Sequence, residues 1–372
     1  MRPERPRPAG HRGRGPQRLL AVLALAAAVA GAVSLGAPAG ASVGSDEFHA
    51  NRPYRGDFPD PAVMRVGSTY YAYSTTTAGK LLPAMTSTDL RTWTARHANT
   101  DKWWENDALT AAPSWAKRHY ANGAWRVTTW APSVSKVEGG YVAAYATPVS
   151  LDPVKMCVTL AYSTDPLGPF TDRSSAPFVC RTDVQGSIDP YVYIDRLGDP
   201  YLLWKNEGIP HHEATRIWTR KLNRTATAFA PGSVATNLLT TALPWEGNVI
   251  ENPAMIRVHR KVYLFYSANR YKTADYAIGY ARCKTPVGPC TRPTTLPLLA
   301  SGGAVSGPGG PNPFKDASGG LRLAYAAWDL GRVGYPATSA CRQTTAGCNQ
   351  RRLHVATLRV LPDRTLAVTD RG

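Results

Sequence analysis

One short phrase recurs five times along this chain, and few folds can accommodate it. It reads Asp60-Pro61-Ala62-Val63, Ala131-Pro132-Ser133-Val134, Asp189-Pro190-Tyr191-Val192, Asn252-Pro253-Ala254-Met255 and Asn312-Pro313-Phe314. The prolines stand 71, 58, 63 and 60 residues apart. Each phrase is followed by a turn and then an apolar, aromatic-bearing strand, such as Tyr70-Tyr71-Ala72-Tyr73, Tyr201-Leu202-Leu203-Trp204 or Tyr263-Leu264-Phe265-Tyr266. A repeat of this length built from short strands predicts an all-β, five-bladed β-propeller. Blades are expected to start near Phe58, Trp130, Ile188 and Ile250, with a Gly-rich loop over 302–310 before the fifth. The last strand is expected over 353–358, and the segment 46–58 is a candidate to complete the final blade.

The first strand of each blade lines the central axis, so equivalent positions of different blades converge. Asp60 and Asp189 stand immediately before their prolines, and Glu251 stands two before its own. X-Pro alone only starts a strand. Three carboxylates around one axis are costly, because like charges repel and burial disfavours ionisation. Paired acid and base sites are built in this way. Asp57 and Glu246 are rival carboxylates outside the repeat register. Phe58 and Trp130, beside the strand starts, are candidates for the wall of a pocket, with core packing as the alternative for each. Asn312 is a candidate polar contact, and Arg352 a candidate partner for a hydroxyl.

The chain of 372 residues allows one domain of this size, over 42–372, after a leader. Residues 1–18 are rich in Arg and Pro, residues 19–35 are apolar, and Ala39-Gly40-Ala41 offers a cleavage site. Residues 1–41 therefore read as a secretory signal peptide, and the expected location is extracellular, with no membrane partner after cleavage. The net charge is +17, but six of the Arg and one Glu lie in the first eighteen residues, leaving about +12 for the rest. Those charges are scattered without a dense run, which speaks against nucleic acid as a partner. Six cysteines agree with export, and local spacing favours the pairs 157–180, 283–290 and 341–348 among the 15 pairings that six allow. Neither C-x-x-C nor H-E-x-x-H occurs, and His211-His212-Glu213 reads as loop. No metal site is expected. Residues 96–129, with Trp103, Trp104, Trp115 and Trp125, read as a long loop beside the axis. Nothing demands more than a monomer.

Four segments, Gly56-Asp57-Phe58-Pro59-Asp60-Pro61-Ala62-Val63, Trp130-Ala131-Pro132-Ser133-Val134, Ser187-Ile188-Asp189-Pro190 and Ile250-Glu251-Asn252-Pro253, together resemble glycoside hydrolase family 43. The resemblance spans about residues 50–360. It implies a five-bladed propeller that cleaves arabinan, arabinoxylan or xylo-oligosaccharides by inversion. Position by position, it implies Asp60 as general base, Glu251 as general acid, and Asp189 as the group that orients Glu251 and raises its proton affinity. Many members carry a Gly-His segment in blade five, near a central metal or water cluster. Here the segment is Gly307-Pro308-Gly309-Gly310-Pro311-Asn312, without His, so no cofactor is expected and a central calcium is disfavoured. Asn252 stands where a small residue is commoner. Two alternatives stay open: a hydrolase of another furanoside such as fructan, and a carbohydrate-binding propeller without catalysis.

Overall fold

Tyr141-Val142-Ala143-Ala144-Tyr145 shows how this sequence folds. Successive side chains of a strand point to opposite faces. Tyr141, Ala143 and Tyr145 enter one apolar cluster with Ala62 and Tyr73, while Val142 and Ala144 enter another with Val192, Leu202 and Trp204. Both faces are buried, so the run is continuously apolar rather than alternating with polar residues. The same division sends Tyr263 and Phe265 one way and Val262, Leu264 and Tyr266 the other. The core therefore lies between neighbouring sheets rather than within one.

The computed structural model describes residues 53–96, 107–121, 124–209, 212–335 and 349–372. Among these, five antiparallel sheets with strands in sequence order form a five-bladed β-propeller. Blade one holds β1 (Ala62–Val66), β2 (Thr69–Tyr73), β3 (Ala84–Ser87) and β4 (Thr94–Ala95). A hairpin, β5 (His119–Ala121) and β6 (Ala124–Arg126), precedes blade two, which holds β7 (Trp130–Val137), β8 (Gly140–Leu151) and β9 (Val154–Ser163). Blade three holds β10 (Ser187–Ile194), β11 (Pro200–Asn206), β12 (Arg216–Lys221) and β13 (Thr236–Thr240). Blade four holds β14 (Ile250–Val258), β15 (Lys261–Ala268), β16 (Ala277–Cys283) and β17 (Cys290–Thr291). Blade five holds β18 (Val305–Lys315), β19 (Leu321–Asp329), β20 (Arg351–Val360) and β21 (Leu366–Asp370).

Three expectations are corrected. The chain supplies β21 after the strand expected to be last, so blade five completes itself. Residues 53–58 are not a strand; they bridge the seam through Tyr54 N–H to the Trp93 carbonyl and Phe58 N–H to the Arg351 carbonyl, both at 2.8 Å. The Gly-rich stretch from Val305 onward is strand, not loop, and it carries two register shifts, between Ser306 and Gly309 and between Gly309 and Asn312. Those shifts move the fifth copy of the phrase from Asn312-Pro313 to Gly310-Pro311.

With that register, all five residues before the inner prolines share one conformation. Their φ values are 52° at Asp60, 41° at Ala131, 55° at Asp189, 47° at Asn252 and 64° at Gly310. Left-handed backbone costs an ordinary L-residue roughly 1–2 kcal/mol, least for Gly, Asn and Asp. That matches four of the five residue types. Each inner strand is also tied to a neighbouring blade by a side chain that accepts a backbone N–H. Thr75 Oγ1 takes Ala131 N–H at 2.8 Å, Ser133 Oγ takes Val192 N–H at 3.1 Å, and Asp189 Oδ2 takes Asn252 N–H at 2.9 Å. Ser267 Oγ takes Gly310 N–H, and Asn312 Oδ1 takes Val63 N–H across the seam, both at 2.8 Å.

Blade two lacks a regular fourth strand. Its outer edge is served by Phe178 and Val179, which bond to Val158, and the Cys157–Cys180 disulfide pins that segment. Cys283 and Cys290 are register partners of β16 and β17 and form the second expected disulfide. Cys341 and Cys348 lie outside the described residues, as do the leader, residues 46–52, Trp103, Trp104 and His211. No helix among the described residues is long and apolar enough to cross a membrane.

Replacing Asn312 with Ala leaves the buried Val63 N–H without its acceptor. The expected loss is about 1–3 kcal/mol of unfolding free energy, measured by the denaturant midpoint at constant slope. A loss below about 0.5 kcal/mol would mean that the apolar cluster alone holds the seam.

Candidate active site

The five strained residue–proline pairs line an axial well of about 290 Å³, its open mouth included. Asp60, Asp189 and Asn312 are on its wall. Glu251 immediately precedes the left-handed Asn252, and hydrogen bonds connect it to the same assembly. Asp60 accepts from Thr75 Oγ1 at 2.8 Å through Oδ2 and from Arg351 Nη1 at 3.0 Å through Oδ1. Gly310 stands against it. A Cβ there would lie 3.0 Å from Asp60 Cα and 3.3 Å from Oδ1, so the glycine supplies space as well as its positive φ.

Arg351 is almost fully buried. Its guanidinium carbon lies 5.6 Å from the ring centre of Tyr276 and 5.8 Å from that of Tyr271. Burial opposes the cation most strongly, but Asp60, Tyr276 and Tyr335 together more than offset it and hold Arg351 above its ordinary value. Its Nε and Nη2 have no hydrogen-bond partner among the described residues.

Glu251 is held at both oxygens. Tyr276 Oη lies 2.7 Å from Oε1, and Lys205 Nζ donates to Oε2 at 2.9 Å. Lys205 also donates to Glu207 Oε2 at 2.7 Å. Burial opposes the ammonium, and the carboxylates of Glu251 and Glu207 more than offset it, so Lys205 stays protonated. Asp189 is buried between these ion pairs. Desolvation first, and then the charge of Glu251, push its carboxyl well above the ordinary carboxylate range. Like charge was expected to act from Asp189 upon Glu251. The group held high is Asp189 itself, and Glu251 has a cation beside it.

The other candidates separate. Phe58 is fully buried in the cluster with Tyr54, Val63 and Tyr70, edge-on to Tyr54 at 6.3 Å between ring centres. It is core, not pocket wall. Trp130 is half-buried and packs on Ala146, Met156 and Ile188, beside Ala131 on the well. Asn312 spends its carbonyl oxygen on the seam. Arg352 pairs with Asp329, 3.0 Å from Nε to Oδ1, and donates to the Arg55 carbonyl, so it is not in the well. Its neighbour Arg351 instead reaches Asp60 on the wall of the well, because adjacent residues of β20 face opposite sides. Glu246 is fully buried in a cluster with Arg292, at 2.6 Å, and Tyr266, and also accepts the N–H groups of Ala242 and Leu243. It holds a turn.

Asp57 is buried behind Arg351. It accepts Arg351 N–H at 2.8 Å and the Tyr335 hydroxyl at 3.0 Å, and burial pushes its carboxyl up to about 7 despite those bonds. Lys205, Tyr276 and Arg351 were missed from the sequence. The one available signal was a charge, Lys205, closing the apolar run of β11. Among the described residues no group of three or more His, Cys, Asp or Glu is placed to hold a metal ion.

Residues 51–346 match the family model described as glycosyl hydrolases family 43. A curated relative, probable arabinan endo-1,5-alpha-L-arabinosidase A of Neosartorya fischeri, is 30% identical over an alignment of 228 positions that covers 55% of this chain and 66% of that protein. Among solved structures, a thermostable family-43 glycoside hydrolase aligns with TM-score 0.66 at 23% identity, covering 86% of this chain and 95% of that one. An endo-1,4-beta-xylanase of Bacteroides thetaiotaomicron aligns with TM-score 0.63 at 25% identity, covering 85% and 95%.

Asp57 gives a stability signature. Below its unfolded value of 3.8 both states hold the proton; between there and about 7 only the folded protein does. Stability therefore falls with rising pH across that window and the penalty is constant above it. Asp57→Asn should flatten the profile between pH 4 and 7, by on the order of 4 kcal/mol. Parallel denaturation curves for parent and variant across the window would show that the burial cost is relieved elsewhere.

Proposed function

Because this chain belongs to glycosyl hydrolase family 43 and is a glycoside hydrolase of the arabinanase and xylosidase type, we propose that it is a secreted, inverting enzyme acting on arabinofuranosyl or xylosyl linkages. The observation that carries the mechanism is the division of labour among carboxyls on and beside one axial well. Asp60 is held by two donors, Thr75 and Arg351, as an acceptor. Such a carboxylate can take a proton from water. Glu251, from blade four, is the partner that protonates the leaving oxygen. Asp189, between them, keeps its proton and bonds to the backbone of the acid's neighbour.

In the reaction so read, water attacks the anomeric carbon, its proton passes to Asp60, and the glycosidic bond breaks as Glu251 gives its proton to the departing oxygen. Inversion requires about 6.5–9.5 Å between the two carboxyls, room for that water. Arg351, buried behind Asp60, fixes the orientation of that carboxylate. The curated relative's name supports arabinan as the first substrate to try. Secretion rests on the leader composition of residues 1–41 and on two disulfides.

Asp60→Asn and Glu251→Gln should each lower kcat on linear 1,5-arabinan or xylan by about 10²–10⁴-fold. Glu251→Gln should be spared on 4-nitrophenyl glycosides, whose leaving group needs no proton. Proton NMR of the first product should show the inverted anomer. Retained configuration, or full activity in Asp60→Asn, would overturn the mechanism.

A further inference from the structure

The hydroxyl of Tyr276 faces two acceptors. It lies 2.7 Å from Glu251 Oε1 and 2.7 Å from Asn252 Oδ1. One phenolic proton cannot serve both contacts, and the hydroxyl does not ionise at ordinary pH: burial first, then the charge of Glu251, hold it well above its usual value. Two arrangements satisfy three oxygens at these distances. In one, Glu251 carries a proton and donates it to Tyr276, while Tyr276 donates to Asn252 Oδ1. In the other, Glu251 is a carboxylate that accepts from Tyr276, and the Asn252 amide turns its NH₂ toward the phenol oxygen.

We propose that Tyr276 and Asn252 form a hydrogen-bond toggle that holds the Glu251 carboxyl in both protonation states its reaction needs; this rests on the reading of Glu251 as the general acid. In the armed state the carboxyl proton lies on the Glu251–Tyr276 line and the phenol proton on the Tyr276–Asn252 line. When Glu251 passes its proton to the leaving oxygen, the phenol O–H rotates from Asn252 to Oε1 and stabilises the new carboxylate. Re-protonation from solvent returns it. No heavy atom has to move more than an amide turn.

The site is built for a fixed phenol. Tyr276 is 1% exposed. A Cβ at Gly309 would fall 1.8 Å from its Cε1, so only glycine at 309 leaves the ring its place. Asn252 is fixed by its left-handed backbone and by Asp189. The other charged or titratable groups facing Glu251 are Lys205 at Oε2, with Glu207 behind it, Asp189 on β10 and Tyr271. Arg351 and Asp60 reach it through the Tyr276 ring. Lys205 and Arg351 favour the carboxylate, while Asp189, Glu207 and Asp60 oppose it. Of these only Lys205 bonds directly to Glu251, and an ammonium can only donate as the protonation state changes. Tyr276 can.

The two variants that break the toggle should shift the acid in opposite directions. Tyr276→Phe removes the donor to the carboxylate, so the carboxyl should titrate at higher pH. Asn252→Ala removes the competing acceptor, leaves Tyr276 only Glu251 to donate to, and should move the titration lower; blade two already places Ala131 in the same backbone conformation. Each shift should be about one pH unit. The readout is carbon-13 NMR of the carboxyls in protein labelled at its eight glutamates, with Glu251 assigned by its loss in Glu251→Gln. This needs no substrate. The alkaline limb of kcat on 1,5-arabinan or a 4-nitrophenyl glycoside should follow the same two directions.

Opposite shifts support the toggle, and Tyr276→Phe/Asn252→Ala should show only the shift of Tyr276→Phe. Shifts of one sign, or none, overturn it whatever Glu251 does in catalysis. Separated midpoints, with a Glu251→Ala variant that loses poor and good leaving groups equally, would instead remove Glu251 as the acid and leave the toggle without its role.

Discussion

Five residues held in left-handed backbone, each before an inner-strand proline, are the constraint on which the rest of this molecule depends. Four of them interrupt the pairing of their strands, and Asp60 stands just before β1. The freed groups are not left orphaned. Thr75, Ser133, Asp189, Ser267 and Asn312 join the inner strands of successive blades. Strain of this kind persists only where surrounding structure over-determines it. Here apolar clusters shared between neighbouring blades do so. The arrangement places one exceptional residue per blade at the same depth, which is how carboxyls far apart in sequence come to share one well.

The electrostatics follow from that convergence. Three carboxyls gathered at the axis cannot all be ionised without help. Two cations divide them, Arg351 with Asp60 and Lys205 with Glu251 and Glu207. Asp189 is left without a direct cationic partner and keeps its proton instead. It still serves as an acceptor to Asn252 N–H. Breaking such a buried pair by truncating one partner costs more than the pair contributes, because a buried charge remains.

Much of the fold was legible because it is periodic. The recurring X-Pro phrase located four inner strands, and the doubly apolar runs marked the second strands. The fifth copy was misread by two residues because Asn312-Pro313 imitates the phrase, whereas Gly310-Pro311 occupies the position; two bulges in β18 cannot be seen in a string of Gly and Pro. At the well, the repeat pointed to Asp60, Asp189 and Glu251. It was silent on Lys205, Tyr276 and Arg351, which come from second and third strands and from loops. Choosing Arg352 over Arg351 turned on which face of β20 meets the axis, a parity that one strand's sequence does not specify. Phe58 was drawn to the pocket by adjacency, yet its ring is worth more in the cluster beneath.

The seam between blades five and one has a further consequence. Its latch joins residues 249 positions apart, while the other four span 43 to 63. Closing the longer loop costs about 1–1.5 kcal/mol more chain entropy, and contacts so distant in sequence are late ones in folding. An arc of blades should therefore assemble before the ring shuts, an order that pulse-labelled hydrogen exchange at Val63 and Asn252 would read. Asp60 and Arg351 come from opposite sides of that last joint, 291 residues apart. Until that joint shuts, Asp60 lacks its Arg351 partner, so this axial ion pair exists only in the closed ring.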